Sequence, residues 1–239
     1  MTAPWAVVMP VKAFAAAKSR LSPRAGCRRE ELARAFFLDT LSAVLRADGV
    51  RRVIVVTDDA EACSAAASMG ALTVDDRPRE GLNAAVLKGL YRARSLQPQA
   101  AVAAVAADLP ALKPAEFSRL LDEALRRPRS FLADHTGRGT TVLTAAPGRP
   151  LRPSFEGCSR RRHRLGGAWE ITGPCYPSAR LDVDTADDLY VAQRLGLGRH
   201  TRLVLSAPVE RAAGLCAAPL VTPARLPRDH PRAEAGPPS

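Results

Sequence analysis

Apolar positions along this chain switch between two rhythms. Ala6 to Val11 is an almost unbroken apolar run, the pattern of a strand covered on both faces in a parallel sheet. Leu32, Phe36, Phe37, Leu41, Val44 and Leu45 recur instead at helical spacing, and Gly49 stops that helix. The exchange then repeats. Arg52 to Thr57 reads as a β-branched strand, Glu61 to Met69 as a short alanine-rich helix closed by Gly70, and Ala71 to Val74 as a third strand. A further helix opens at Asn83, a good N-cap residue, with Val86, Leu87, Leu90 and Tyr91 on its buried side. Ala101 to Ala107 is the next strand, shut down by Pro110, and Phe117 to Arg126 the next helix. Regular alternation of this kind predicts right-handed βαβ units and an α/β fold with a mainly parallel central sheet.

Beyond residue 126 the rhythm changes. Ser130 to Ala133 and Thr140 to Thr144 are short strands joined by D-H-T-G-R-G, where Gly137 and Gly139 permit either a tight hairpin or a phosphate-binding nest. Trp169 to Thr172 is another strand, and Leu181 to Asp184 leads into a last helix capped by Thr185 with Asp188 three residues on. The chain then gains Pro, Ala and Arg without a sustained pattern. One domain over residues 1–198 followed by a disordered tail over 199–239 is therefore expected.

Composition narrows the partners. The net charge of +11 favours acidic ligands, either nucleic acid or small phosphorylated molecules. Arg149, Arg152, Arg160, Arg161, Arg162 and Arg164 share one short segment with a single acid, Glu156. Aromatics make up only 5% of the chain and none supplies a base-stacking platform in that segment. Nucleic acid is the weaker reading. Five widely spaced cysteines with no C-x-x-C pair argue against a disulfide framework or a zinc site. No leader-like opening and no membrane-length apolar run is found, so a cytoplasmic protein without a membrane partner is expected.

Candidate chemistry clusters where strands end. The loop after the first strand carries Lys12, Lys18 and Arg20 but no glycine, so phosphates there would meet side-chain cations rather than a Walker-type backbone cradle. Asp108 closes one strand, while Asp182 and Asp184 alternate along an extended segment and so share a face. Carboxylates of that kind suit Mg²⁺, and they equally suit turns or helix caps. Gly137, Gly139, Thr140, Thr141, Gly157 and Ser159 could bind an anion or merely build turns. His135 and His163 have no metal-ligand spacing and receive no role.

Seven stretches occur in an order that resembles the phosphoenolpyruvate or 2-phospho-L-lactate guanylyltransferases of deazaflavin coenzyme F-420 biosynthesis. They are V-K-A-F-A-A-A-K-S-R-L, V-V-T-D-D, G-L-N-A-A, A-D-L-P-A-L, G-T-T-V-L-T, F-E-G-C-S-R-R-R-H and L-D-V-D-T-A-D-D-L. The resemblance covers about Trp5 to Gly198. It implies a three-layer, Rossmann-like nucleotidyltransferase fold with a small β-hairpin insertion, and Mg²⁺ on Asp108, Asp182 and Asp184. It also implies a phosphorylated three-carbon acid bound near Thr140, Gly157 and Ser159. The family's F-G-x-G-S is replaced here by Phe155-Glu156-Gly157-Cys158-Ser159, so both usual glycine positions are changed. The expected reaction joins GTP to phosphoenolpyruvate, with 2-phospho-L-lactate or 3-phosphoglycerate as alternative acceptors. Lys12, Lys18, Gly81 and Asn83 are expected at the nucleotide, and Lys18, Arg20 and Asp108 at the reacting phosphates. A homodimer is compatible with this reading, and a basic nucleic-acid-binding protein is the alternative from another class.

Overall fold

A computed structural model describes residues 3–16, 21 and 28–207. Among these, seven strands form one sheet in the order β3-β2-β1-β4-β6-β5-β7. The strands are β1 (Trp5–Pro10), β2 (Val50–Val56), β3 (Leu72–Val74), β4 (Ala101–Val105), β5 (Arg129–Ala133), β6 (Thr140–Ala145) and β7 (Trp169–Glu170). All pairings are parallel except β4 with β6 and β5 with β6, so β6 alone runs against the others. The hairpin expected from D-H-T-G-R-G exists, and it extends the main sheet rather than standing apart as an insertion. Its second strand turns back to pair Val105 with Val142, which carries the sheet past β4.

Helices cover both faces. On one side α1 (Arg29–Leu45), α2 (Ala60–Ser68) and α4 (Pro114–Ala124) pack Phe37, Leu41, Ala62, Phe117 and Leu121 onto Trp5, Val7, Val53, Val55 and Val105. On the other, α3 (Leu82–Leu96) lays Ala85, Val86 and Ala93 against Ala6, Val8, Ile54 and Val102. Successive residues of β1 thus feed opposite layers, as a period of two requires. Each fully buried Phe or Leu in these layers contributes roughly 2 kcal/mol.

The structure corrects the sequence reading of α3. Leu87 and Tyr91 are exposed, and the buried face is made of small residues with Gly89 at its centre. A Cβ on Gly89 would stand 2.4 Å from a Val8 methyl and 2.8 Å from a Val56 methyl, so the helix axis lies too close to the sheet for large side chains. Asn83 is inside the helix, and Gly81, at φ 95°, is its N-cap.

Four short helices complete the described chain: α5 (Ser159–Leu165), α6 (Pro177–Arg180), α7 (Ala186–Leu195) and α8 (Arg199–Ser206). The Thr185 and Asp188 capping box forms as expected at the start of α7. Leu181 to Asp184 joins no strand. The expected domain boundary at 198 falls short, because α8 packs on α1 and the compact unit runs to Ala207. Asp39 of α1, buried, accepts from the amides of His200 and Thr201 at 2.8 Å each, and those bonds satisfy otherwise orphaned donors at the start of α8. The tail expectation beyond Ala207 lies outside the described residues.

Candidate active site

A cleft of about 530 Å³ opens at the carboxyl ends of β1 and β4, where α/β sheets bind ligands. Its walls include Pro10, Val11 and Lys12 after β1, Ala106 to Asp108 after β4, Leu82 at the start of α3, Thr140 at the start of β6, Phe155 and Asp184. Residues far apart in the sequence reach it because the parallel strands β1 and β4 end there and the antiparallel β6 begins there.

The Asp108 turn is fixed from several sides. Thr40 of α1, fully buried, donates its hydroxyl to the Phe36 carbonyl at 2.7 Å and accepts the Leu109 amide at 2.9 Å. The Ala106 amide donates to the Thr141 carbonyl at 2.8 Å, and the Val183 amide donates to the Asp108 carbonyl at 3.1 Å. That last bond brings the Asp-Val-Asp segment alongside the end of β4. Leu181 and Val183 are buried there while Asp182 and Asp184 are more open, which is the same-face arrangement expected of an extended chain. Burial first, and then the charges of Asp108, Asp134 and Asp184, push the Asp182 carboxyl up to about 6.

Two residues missed in the sequence complete this corner. His135 lies 3.3 Å from Asp182 through Nδ1 and 3.0 Å from Asp188 through Nε2, so Asp188, expected only at the start of the last helix beside Thr185, also has a side-chain partner at the site. No spacing in the sequence joins His135 to those acids, because the hairpin brings them together. His163 is buried under Thr140. Its Nδ1 is 3.0 Å from the Thr140 hydroxyl, and its Nε2 accepts the Ser154 amide at 3.0 Å. Burial, followed by the Arg129 charge, lowers its pKa to about 4. Here a signal did exist. Ser159 and His163 are four apart on α5, so both turn inward while Arg161, Arg162 and Arg164 face solvent.

The remaining expected residues divide. Lys12, Asp108, Thr140 and Asp184 line one cleft. Gly81 caps α3 next to Leu82, and Asn83 accepts the Phe155 amide at 2.8 Å, so it holds a cleft wall in place. Ser159 is buried and Gly157 exposed, and neither lines the cleft. Lys18 and Arg20 lie outside the described residues. The nest reading of Gly137 and Gly139 gives way to a turn, since the Asp134 carboxylate accepts the amides of Arg138 at 2.9 Å and Gly139 at 2.8 Å. The Thr141 hydroxyl donates to the Ala179 carbonyl instead of reaching the cleft. In the basic cluster, Arg160 and Arg164 both pair with Glu170.

The fit of a divalent cation rests on donor chemistry. Among the described residues no three His, Cys, Asp or Glu side chains converge closely enough to hold an ion unaided. Mg²⁺ does not need that, since it takes one or two carboxylates and fills its shell with water and substrate phosphates. Oxygen donors whose mutual repulsion raises a pKa are the kind such an ion relieves. The oxygen donors at hand are Asp108 and Asp184 on the cleft wall and Asp182, whose carboxyl is raised by burial first and by Asp108 next. No helix among the described residues is long and apolar enough to cross a membrane.

Residues 5–207 match the family described as "Guanylyl transferase CofC like". A phosphoenolpyruvate guanylyltransferase of Streptomyces coelicolor is 50% identical over 201 residues, covering 84% of this chain and 95% of that one. One from Thermomonospora curvata is 46% identical over 197 residues, covering 82% and 86%. Among solved structures, a putative nucleotide-diphospho-sugar transferase from Desulfovibrio desulfuricans superposes with a TM-score of 0.62 at 15% identity over 85% of this chain and 95% of that one, a likeness of fold.

Proposed function

The chain belongs to the CofC-like guanylyl transferase family, and from that premise we propose that it joins GTP to phosphoenolpyruvate in the cytoplasm, releasing pyrophosphate and forming enolpyruvoyl-2-diphospho-5'-guanosine for coenzyme F-420 biosynthesis. The observation that carries this reading is the meeting of Asp108, Asp184, Lys12 and Thr140 on one cleft at the strand ends. An acceptor phosphate is already ionised near neutral pH, so the reaction needs positioning and charge neutralisation more than a general base.

Each part then has a task. Asp108, Asp182 and Asp184 would hold Mg²⁺, which when bound lowers the repulsion between the two phosphates that must approach in line. Lys12, with Lys18 and Arg20, neutralises charge on the triphosphate and the departing pyrophosphate. Gly81, Leu82 and Asn83 offer the start of α3 to the guanosine, where a helix N-terminus favours negative ligands and exposes amides. Thr140 meets the three-carbon acid, with Gly157 and Ser159 behind it. Half-buried Phe155 closes the wall between the two ligands.

The test combines purified protein, Mg²⁺ and each nucleoside triphosphate in turn with phosphoenolpyruvate, 2-phospho-L-lactate or 3-phosphoglycerate, with pyrophosphate measured. Release confined to GTP and phosphoenolpyruvate is expected. Preference for another acid replaces the acceptor, and no release with any pair removes the function.

A further inference from the structure

His163 is buried, and both of its ring nitrogens are engaged by neutral groups. The Ser154 backbone N–H can only donate, so Nε2 is an acceptor and carries no proton. The neutral ring must then carry its proton on Nδ1, which faces the Thr140 hydroxyl at 3.0 Å. Thr140 is therefore the acceptor in that bond. The opposite tautomer would aim an N–H at the Ser154 N–H.

We propose that His163 is a positioning residue that sets the polarity of Thr140, so that the Thr140 hydroxyl donates its proton into the cleft and selects an anionic oxygen of the three-carbon acid. This rests on the proposed function above and deepens it. Thr140 lines the cleft, whereas His163 is 2% exposed and cannot itself touch a ligand there. The ring is held on both flanks, at 5.0 Å from the Phe155 ring in an edge-on arrangement and at 5.8 Å from Phe131. A rigid donor behind a hydroxyl fixes the hydroxyl's direction, and a substrate oxygen that accepts from it gains a charge-assisted bond. The basis of discrimination is then chemical: a carboxylate or phosphate oxygen fits, and a donor group at that place does not.

Two variants separate this role from packing. His163→Asn puts an amide near Nδ1 and keeps a donor toward Thr140, while His163→Gln reaches toward Nε2 and keeps only the acceptor for Ser154. Pyrophosphate release is followed as a function of each substrate, together with melting temperature. The expected result for His163→Gln is a KM for phosphoenolpyruvate raised about tenfold with the KM for GTP unchanged, the size of a lost bond to a charged group. His163→Asn should restore most of that KM at a similar melting temperature. In a Thr140→Val background the His163→Gln change should have no further effect on KM, since its partner is gone. Wild-type enzyme that turns over beside a His163→Gln variant of unaltered KM overturns the inference alone, as do two variants impaired equally for both substrates. Wild-type protein that releases no pyrophosphate overturns the function, and this inference with it.

Discussion

Two groups of aspartates stand beyond the carboxyl ends of the sheet's parallel strands in this molecule, and their surroundings differ. After β2 and β3, every acid has found a cation or an amide. Asp58 pairs with Arg79 at 2.5 Å, Asp75 with Arg77 at 2.6 Å and Asp76 with Lys88 at 3.3 Å. Asp59 caps α2 through Oδ1, accepting from Glu61 and Ala62 at 2.9 and 3.0 Å, and receives the Phe14 amide on Oδ2 at 3.1 Å. The hydrogen bond from Arg77 holds Asp75 down to about 2. After β4 and along Leu181 to Asp184, acids face acids, and Asp182 rises to about 6. Identical residue types thus serve as fasteners in one region and as a crowd of like charges in the other, where His135 stands 3.3 Å from Asp182. Burial and the neighbouring carboxylates disfavour the charged form of Asp182, a cost of the kind that functional sites commonly accept in exchange for activity.

That contrast can be broken most directly at Asp108. Asp108→Asn should lower Mg²⁺-dependent pyrophosphate release by about 10³-fold with a melting temperature at or above that of wild type, since one of the charges raising Asp182 is gone. Undiminished turnover would show that the crowded acids have no chemical task.

A pH titration of the ligand-free protein separates the regions next. His163 has its pKa lowered to about 4, so the unfolded chain takes up its proton first as pH falls. Its stabilising contribution is complete above about 6.5 and is lost between there and about 4, for a total of about 3 kcal/mol. The exposed ion pairs after β3 should give way only below that window, because Asp75 stays ionised until about 2. Denaturant melts of wild type and His163→Gln across this range check it, and an identical acid slope in both would reject the assignment.

Removing one of the crowded charges should stabilise. Asp182→Asn is expected to raise the stability of the metal-free protein at neutral pH by roughly 1–2 kcal/mol, the scale of one carboxylate's shift, while abolishing turnover. Added Mg²⁺ and GTP should then raise the melting temperature of the wild type more than that of the variant. The fastener region should behave in the reverse manner. Asp59→Ala should cost about 1 kcal/mol through the lost cap and leave turnover per folded molecule within a few-fold. A loss of activity as large as that of Asp108→Asn would erase the distinction between the two regions.

Much of the fold was legible in the chain. Continuous apolar runs such as Ala101 to Val105 are buried on both faces, and such runs separated by helical stretches leave few topologies open. The face of α3 was not legible, because large apolar residues usually mark the buried side and here Gly89 lets the helix sit so close that only small ones fit. The end of the domain was missed for a related reason. Helix α8 is held partly by Asp39, a contact across 161 residues that no local pattern records.

The site divides along the same line. Sequence alone determined which residue types follow the apolar runs, because run length and polarity are local properties: Lys12 and Asp108 follow from them, the Asp182 and Asp184 pair follows from its alternation with Leu181 and Val183, and the family likeness is carried by their order. Only the tertiary structure decided which acids are paired and which are crowded, that His135 joins Asp182 and Asp188, and that His163 lies 3.0 Å behind the Thr140 hydroxyl. Those outcomes depend on which segments the sheet order brings side by side, and a hydrogen bond between residues 23 or 47 positions apart leaves no periodicity in the chain.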